Sequence, residues 1–344
     1  MNLQQRISIL VDLGEYMEDQ SAEWQSAKQT AFHKNGWFTL ENIGFACKNI
    51  VENFLQKDAL THWAAQYALP ESLENPVTVG LVTAGNIPLV GFHDFLCIFL
   101  SGNKQKIKSS SKDDILLPFL IKTMQEKYPE LAEYITFAET LKGCDAYIAT
   151  GSNNAGRYFD YYFAKYPSII RRNRTSVALL DDTETPQELE SLAEDIHTYF
   201  GLGCRNVTML YVPENYDFIP LVNALKKYGR LLDYPKYKNN YDYQLAILLL
   251  NKKYYMSGGA LLLEENPVLF APISTVHYQF YSDKAELETT LNNSDDIQAI
   301  VGKNHIGFGQ TQQPHLTDYA DDVDTMQFLK EIVGKTAETE SRND

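Results

Sequence analysis

Residues 76–88, Pro-Val-Thr-Val-Gly-Leu-Val-Thr-Ala-Gly-Asn-Ile-Pro, contain the pattern that decides the fold. The run 77–82 is apolar or β-branched apart from one glycine, which is typical of a short strand buried on both faces. Residues 83–88 predict a loop, and residues 89–100 predict an apolar helix that stops at Ser101-Gly102-Asn103. A buried strand followed by such a helix begins a βαβ unit, and such units build a parallel sheet.

The same alternation of strand and helix continues along the chain. Further strands are predicted at 104–108, 146–149, 176–180 and 207–212. Asp113 and Asp114 are predicted to cap the helix after the second strand. Thr185, Pro186 and Glu188 form a complete start signal for another helix, with an N-cap, a proline in the first turn and a capping box. The fold class is therefore α/β, with a doubly wound parallel sheet preceded by a helical region at residues 1–75.

Composition excludes several classes of protein. The 344 residues include 30 Lys and Arg against 45 Asp and Glu, so the formal net charge is −15, and 44% of residues are hydrophobic. The apolar fraction is too high for a disordered chain. The negative charge argues against broad binding to nucleic acid or to an anionic membrane surface.

The spacing of the cysteines and the length of the apolar runs indicate the cellular compartment. Cys47, Cys97, Cys144 and Cys204 are widely spaced, which predicts neither a disulfide framework nor a zinc site. The sequence shows no secretory signal pattern and no membrane-length apolar run. A cytoplasmic, reduced protein without a membrane span or a metal is expected.

Cys204 is the candidate nucleophile. It follows Gly201 and Gly203 in a tight turn between a helix and a strand, where the backbone approaches a ligand closely and leaves N–H groups free. The other three cysteines fit small buried side chains. On spacing alone, a buried thiol and a nucleophile are equally good interpretations of Cys204.

Three further segments end predicted strands, where open α/β sheets bind ligands. The Asn86 side-chain amide suits an oxyanion, although asparagine is also common in turns. Gly151 and Ser152 fit either an ordinary strand-to-helix turn or a pyrophosphate site. Lys108 and Ser110 fit either a solvated loop or a site for ribose hydroxyls and a ribose phosphate.

Taken in order, these segments resemble the aldehyde dehydrogenase superfamily, and most of all its acyl-CoA reductase (LuxC-like) branch. The resemblance covers about residues 76–315 and is carried by Asn86-Ile-Pro88, Gly102-Asn103 with Lys108 and Ser110, Thr150-Gly151-Ser152, Asp181-Asp182, Gly201-Leu-Gly-Cys204 and Phe270-Ala-Pro272. It implies an aldehyde-dehydrogenase-like fold, with a doubly wound Rossmann-type cofactor domain and a second α/β catalytic domain.

The resemblance also implies domain boundaries and roles. Residues 1–75 would pack on a dinucleotide-binding domain at 76–182, a catalytic domain would span 183–315, and 316–344 would form a return segment with a polar tail at 335–344. Cys204 would be the nucleophile, with the Asn86 amide and the Cys204 backbone N–H holding the oxyanion. Lys108 and Ser110 would lie near the cofactor's adenosine, and Gly151 and Ser152 near its pyrophosphate.

Two departures from the superfamily pattern sharpen the expected reaction. Hydrolytic members carry a water-activating Glu upstream of the cysteine, whereas the corresponding stretch 167–174, Pro-Ser-Ile-Ile-Arg-Arg-Asn-Arg, has no carboxylate. This favours acyl transfer to or from a thiol such as coenzyme A. The superfamily's Lys-Pro-Ser-Glu, whose Glu binds the ribose hydroxyls of NAD, is Lys108-Ser-Ser-Ser111 here. NADPH is therefore the expected cofactor, with NADH as the alternative.

These features predict that the protein uses NADPH to reduce an acyl-CoA thioester to the aldehyde. The acyl group is expected to be a fatty acyl group. A homodimer or tetramer is expected from the same resemblance. Three alternatives remain open: a reductase of acyl phosphates, a hydrolytic aldehyde dehydrogenase, and a non-catalytic subunit of a fatty-acid reductase complex. His197, His305 and His315 are weaker candidates for proton transfer, and His197 fits a surface or packing residue better.

Overall fold

The computed structural model describes the backbone of residues 1–340 and the side chains of residues 1–333. The chain divides into two compact units. The first comprises Met1–Asn173 together with the segment that begins at His315, and the second is Arg174–Pro314. Within the described residues, no helix has both the length and the apolar character that crossing a bilayer requires.

The first unit begins with a helical region, as the sequence predicts, and the structure shows four helices in it. They are α1 (Leu3–Glu18), α2 (Ala22–Lys34), α3 (Leu40–Phe54) and α4 (Lys57–Gln66). A capping box starts α1, because Asn2 Oδ1 accepts from the Gln5 backbone N–H and the Gln5 side chain accepts from that of Asn2. The buried indoles of Trp24 and Trp63 belong to the same apolar core as the strands of this unit.

The first sheet has five parallel strands in the order β3-β2-β1-β4-β5. They are β1 (Thr78–Val82), β2 (Lys104–Lys108), β3 (Ile135–Phe137), β4 (Ala146–Thr150) and β5 (Ser168–Arg171). Three helices cross between them: α5 (Phe92–Ser101), α6 (Leu116–Lys127) and α7 (Asn153–Phe163). The α/β class with a parallel sheet is confirmed, whereas β3 and β5 were not predicted.

The second unit is built on a sheet of six strands in the order β11-β6-β7-β10-β9-β8, parallel except for the β8–β9 pair. The strands are β6 (Thr175–Leu179), β7 (Val207–Pro213), β8 (Met256–Ser257), β9 (Leu262–Glu265), β10 (Thr275–Tyr281) and β11 (Ile297–Val301). Four helices accompany them: α8 (Pro186–His197), α9 (Phe218–Leu225), α10 (Pro235–Leu250) and α11 (Lys284–Asn292). Because β6 pairs with β7, it belongs to this sheet, although sequence analysis placed that strand in the first domain.

The start of α8 is formed as predicted. Thr185 Oγ1 accepts from the Glu188 N–H at 3.2 Å, and Glu188 Oε2 accepts from the Thr185 N–H at 2.7 Å. The sequence also predicts an apolar stripe on this helix, and its members Leu189, Leu192, Ala193 and Ile196 are buried. Phe200, expected to continue the stripe, is buried too but lies beyond the helix, in the turn Thr198–Gly201.

After His315 the chain forms a final helix, α12 (Thr325–Glu340), in the first unit. The predicted polar tail at 335–344 therefore starts inside a helix. Residues 341–344 lie outside the described part of the chain.

The predicted caps of α6 are wrong. The residue at the N-cap position is Ile115, and it makes no side-chain capping bond. Asp113 Oδ2 instead accepts from the Leu89 N–H at 2.8 Å, where Leu89 has a left-handed φ of 56°. Asp114 pairs with Lys34 at 2.6 Å. Both carboxylates therefore bind partners that are far away in the sequence, which local capping rules do not consider.

A buried ion pair joins three segments of the first unit. Arg171 Nη2 lies 2.8 Å from Asp94 Oδ1, and the two side chains are 3% and 9% exposed. Arg171 also donates to the Ala320 carbonyl and, at 2.7 Å, to Thr325 Oγ1. The guanidinium thereby connects β5 to α5 and to the segment that leads into α12.

Asp94→Ala should destabilise the protein strongly, because it leaves the Arg171 charge buried and without its carboxylate. The expected loss in free energy of unfolding is about 3–5 kcal/mol, measured by urea denaturation. The neighbouring Arg172–Asp160 pair is the matched control, since its side chains are 55% and 45% exposed. Asp160→Ala should cost no more than about 1 kcal/mol. Equal losses in the two variants would contradict this account.

Asp113 should make stability depend on pH. Burial raises the pKa of this carboxyl to about 7 from its ordinary 3.8, with Asp114 adding a smaller effect of like charge. The neutral acid is therefore favoured in the folded state, and its contribution is complete below about pH 4 and lost as the pH rises through about 7. In urea titrations, the unfolding free energy of wild type minus that of Asp113→Asn should fall across this window. A difference independent of pH would refute the assignment.

Candidate active site

The four cysteines fall into two groups. Cys47, Cys97 and Cys144 are buried, as predicted, whereas Cys204 is partly exposed. Burial raises the pKa of the Cys47 thiol to about 12 and also raises the pKa values of Cys97 and Cys144. Because the thiolate is the nucleophilic form, these three thiols are poorly suited to covalent chemistry. Cys204 is the thiol that a substrate can reach.

Cys204 lies between β7 and a short turn, Thr198–Gly201, that has an unusual backbone conformation. Tyr199, Phe200 and Gly201 have consecutive left-handed φ values of 54°, 59° and 74°. Each non-glycine residue in that region costs on the order of 1–3 kcal/mol, so the surroundings must hold it there. Both aromatic rings are buried, and Phe200 packs edge-on against Tyr234 with ring centroids 5.2 Å apart.

Two buried side chains fix the peptide groups around Cys204. Asn206 Oδ1 accepts from the Gly203 N–H at 2.7 Å, and Ser176 Oγ donates to the Cys204 carbonyl at 3.0 Å. Asn206 Nδ2 also donates to the carbonyls of Asp195 at 2.9 Å and Thr198 at 2.8 Å. Sequence analysis singled out neither Asn206 nor Ser176. The available signal was an asparagine two residues after a cysteine in a predicted turn.

The residues predicted to bind the cofactor lie along one edge of the first sheet. The strand order reverses between β1 and β4, and open parallel sheets bind ligands at the carboxyl ends of the strands at such a point. Asn86 is exposed in the loop that follows β1, Lys108 ends β2, and Gly151 and Ser152 follow β4. Within this unit, the structure therefore brings the predicted segments to the same edge.

The loops after β1 and β2 are closely packed. The Thr83 N–H donates to the Lys108 carbonyl at 3.2 Å, and a Cβ on Gly85 would lie only 2.7 Å from Ser110 Oγ. Ser109 Oγ and Asp113 Oδ1 are buried, and neither has a hydrogen-bond partner among the described residues. The exposed Lys108 at the end of β2 fits a ligand with negative charge.

The turn after β4 opens directly into α7. The Gly151 N–H donates to the Arg171 carbonyl at 3.2 Å, and Ser152 Oγ caps the helix by accepting from the Ala155 N–H at 3.3 Å. A side chain on Gly151 would meet Ala155 Cβ at 2.9 Å, so this tight connection requires glycine. The first turn of α7 contains no acidic residue, which leaves its N-terminal dipole available to an anion.

The three histidines considered for proton transfer lie in different surroundings. His197 is buried and stacks on Tyr228 with ring centroids 4.2 Å apart, and its Nδ1 lies 2.7 Å from the Ala193 carbonyl. Burial lowers the pKa of His197 to about 4, so the ring is neutral, as suits a packing residue. His305 lies beside Glu288, with 3.3 Å between Nε2 and Oε1, and His315 is an exposed residue of the first unit. No group of metal-ligating side chains occurs among the described residues.

Solved structures share this fold at low sequence identity. An NAD⁺ complex of an aldehyde dehydrogenase from Bacillus cereus matches with a TM-score of 0.63 and 14% identity, over 88% of this chain and 72% of that one. Aldehyde dehydrogenase 21 from Physcomitrella patens, in complex with succinate, matches with a TM-score of 0.67 and 13% identity, over 97% of this chain and 85% of that one. The aldehyde-dehydrogenase-like fold is therefore confirmed.

Two curated relatives carry names that describe a reaction. Long-chain acyl-protein thioester reductase 2 of Photobacterium leiognathi is 25% identical over 251 residues, and long-chain acyl-protein thioester reductase of Aliivibrio fischeri is 25% identical over 240 residues. The matched regions cover 64% and 63% of this chain but only 52% and 49% of the relatives. The chain thus spans about half the length of the relatives it matches.

The family assignment rests on one continuous region of the chain. Residues 45–225 match the acyl-CoA reductase (LuxC) family, and this stretch includes Asn86, Lys108, Ser110, Gly151 and Cys204. Because the match extends over more than half of the chain, the protein belongs to the acyl-CoA reductase (LuxC) family.

Proposed function

We propose that the protein reduces a fatty acyl thioester to the aldehyde with NADPH, through an acyl group carried on Cys204. The observation that carries this proposal is the difference in burial among the four cysteine thiols. Three are buried, and the fourth is partly exposed in a turn whose flanking peptide groups are fixed by Asn206 and Ser176. A fixed, accessible thiol beside backbone N–H groups suits acyl transfer.

The chemistry at Cys204 begins with attack of its sulfur on the thioester carbonyl carbon. The C–S bond to the leaving thiol then breaks, the leaving thiolate takes up a proton, and the acyl group remains on Cys204. The Cys204 backbone N–H and the Asn86 amide are proposed to hold the oxyanion, and the loss of one such donor typically costs about 10²–10³ in rate. Asn86 has this role by its motif, and its side chain is exposed at the end of β1 as the role requires.

Lys108, Ser110, Gly151 and Ser152 are proposed to hold the cofactor. The exposed Lys108 would meet the ribose phosphate and Ser110 the ribose, while the α7 N-terminus behind Gly151 and Ser152 would meet the pyrophosphate. When bound, NADPH supplies the hydride that the acyl group needs to become an aldehyde. Release of the aldehyde then breaks the bond to Cys204 and restores the thiol.

The acyl donor has two candidate forms. Acyl-CoA is supported by the missing carboxylate at 167–174 and by the family description. An acyl group on a protein thiol is the second candidate, because the curated relatives are named for acyl-protein thioesters. Attack by Cys204 is the same in both cases, so only the leaving thiol differs.

The remaining expectations belong to the same proposal. The dinucleotide-binding role of 76–182, the catalytic role of 183–315 and a homodimeric or tetrameric assembly are proposed by family resemblance. The dinucleotide-binding role of 76–182 is supported by the reversal of strand order between β1 and β4, because open parallel sheets bind ligands at such a point.

The proposed activity is tested by incubating the protein with a long-chain acyl-CoA and NADPH and measuring the aldehyde. Wild type should form aldehyde and oxidise NADPH in equal amounts, and Cys204→Ala should form neither, because no acyl group can be attached. Cys144→Ala is the matched control, since it removes a buried thiol of the first unit and should retain activity.

Other outcomes of this assay identify the alternatives. Aldehyde from an acyl phosphate but not from acyl-CoA would indicate an acyl-phosphate reductase. Free fatty acid formed from an aldehyde with NADP⁺ or NAD⁺ would indicate a hydrolytic dehydrogenase. Aldehyde formed only when a separate acyl-protein is supplied would favour the protein-bound donor, and no reaction with any donor would contradict the proposal.

Cofactor choice should change with Ser111→Glu. The new carboxylate would repel a 2′-phosphate, so the ratio of kcat/KM for NADH to that for NADPH should rise by ~10-fold or more. Ala132→Glu is the control, because it adds the same charge at an exposed position of the same unit and should leave the ratio unchanged. An unchanged ratio in Ser111→Glu would refute this placement of the ribose phosphate.

A further inference from the structure

We propose that Asn206 and Ser176 are positioning residues for the Cys204 thiol, with the Asn206 side chain holding the N–H of the preceding residue, Gly203, and Ser176 holding the Cys204 carbonyl. The inference deepens the proposed function, since it rests on Cys204 as the acyl acceptor. Neither residue would touch the substrate. They would act by fixing the backbone from which the sulfur projects.

Asn206 is suited to this task because every polar atom of its side chain is used. The side chain is 0% exposed, its Oδ1 takes the Gly203 N–H, and its Nδ2 reaches two carbonyls near the end of α8. Aspartate would place a carboxylate oxygen against those two carbonyls. Alanine would leave the N–H and both carbonyls without this partner. Position 206 therefore requires a side chain that can donate and accept hydrogen bonds at the same time.

Ser176 restrains the turn from the opposite side. It lies on β6 and is 0% exposed, and its hydroxyl donates to the Cys204 carbonyl at 3.0 Å. Cys204 is thus fixed between the neighbouring strands β6 and β7, both of which belong to the core of the sheet. The Gly203 N–H and the Cys204 carbonyl are held by different side chains, which restricts movement of the Gly203–Cys204 segment.

The restraint matters because the turn is strained. Tyr199, Phe200 and Gly201 all have left-handed φ values immediately before the cysteine segment. If Asn206 released the Gly203 N–H and the Thr198 carbonyl, these residues would be free to return to negative φ. The position of the sulfur would change with them.

The end of α8, to which Asn206 is hydrogen-bonded, is also held by hydrogen bonds to another loop. The buried Asp195 carboxylate accepts from the Gly309 N–H at 2.7 Å, the Thr311 N–H at 3.1 Å and Thr311 Oγ1 at 2.7 Å. The same residue offers its backbone carbonyl to Asn206. Asn206 therefore holds the cysteine turn against a helix end that is already bound to the 307–311 loop.

The test uses Ser176→Ala and Asn206→Asp in the full chain, with Asn266→Ala as the matched control. Asn266 also uses its side chain to shape a turn, accepting from the Val268 N–H at 3.1 Å. It follows β9, at the edge of the sheet opposite to Cys204, which precedes β7. Thermal unfolding would be recorded for each variant, together with kcat and KM for the acyl thioester and the rate of Cys204 alkylation by iodoacetamide.

Both positioning variants should lower kcat by ~10-fold or more, since a misplacement of about 1 Å can cost as much as 10²-fold. KM for the thioester should change by less than about 3-fold, because binding contacts remain. The alkylation rate at Cys204 should also differ from that of wild type, whereas Asn266→Ala should change neither rate. Ser176→Ala removes a single oxygen and keeps the test available if Asn206→Asp does not fold.

Wild-type kcat and alkylation in a folded Ser176→Ala protein would overturn the proposal. The proposal would also be overturned if Ser176→Ala and the control Asn266→Ala lost stability and activity to the same extent. Alkylation requires neither cofactor nor acyl donor. If alkylation changes in the variants while wild type forms no aldehyde, the positioning role stands and the proposed function fails.

Discussion

The carboxamide of Asn206 is the contact on which the cysteine turn depends. It closes a segment in which three consecutive residues have left-handed φ values, and it does so with one acceptor and two donor contacts from a side chain with no exposed surface. Ser176 completes the restraint from the neighbouring strand. Left-handed φ values and buried polar groups each cost free energy when nothing compensates for them. In this turn the hydrogen bonds satisfy the buried groups and hold the backbone in one conformation. A partly exposed thiol on rigid backbone is the result.

The net charge of −15 makes anionic ligands a problem that the chain must solve locally. The edge of the first sheet offers two local features: the exposed Lys108, and an α7 N-terminus without acidic residues in its first turn. The last of these supplies positive potential from backbone dipoles rather than from charged side chains. An acidic exterior is therefore compatible with the proposed binding of polyanions, because the attraction acts over short distances.

Local patterns were sufficient for much of the fold. The capping box of Thr185 and Glu188 and the strands around β1, β2 and β4 were predictable because their signals lie within a few residues. The strands β3 and β5, with three and four residues at the sheet edges, are too short to show a pattern. Asp113 was misinterpreted because its partner Leu89 is distant in the sequence. Ser176 was missed for the same reason, since only the folded chain brings β6 beside the cysteine turn. Asn206 binds residues close to it in the sequence, but asparagine is so common in turns that its position alone indicates no specific role. The family motifs pointed to Cys204, but they carry no information about what holds it.

The central claim is that Cys204 accepts an acyl group from a thioester. It is tested most directly by mixing the protein with a long-chain acyl-CoA in the absence of any nicotinamide and recording the intact mass, followed by peptide mapping. The account predicts one acyl group per chain, located on Cys204, sensitive to hydroxylamine as a thioester is, and absent from Cys204→Ala. An unmodified wild-type chain when acyl-CoA and acyl-protein donors are each supplied, or an acyl group on another residue, would contradict it.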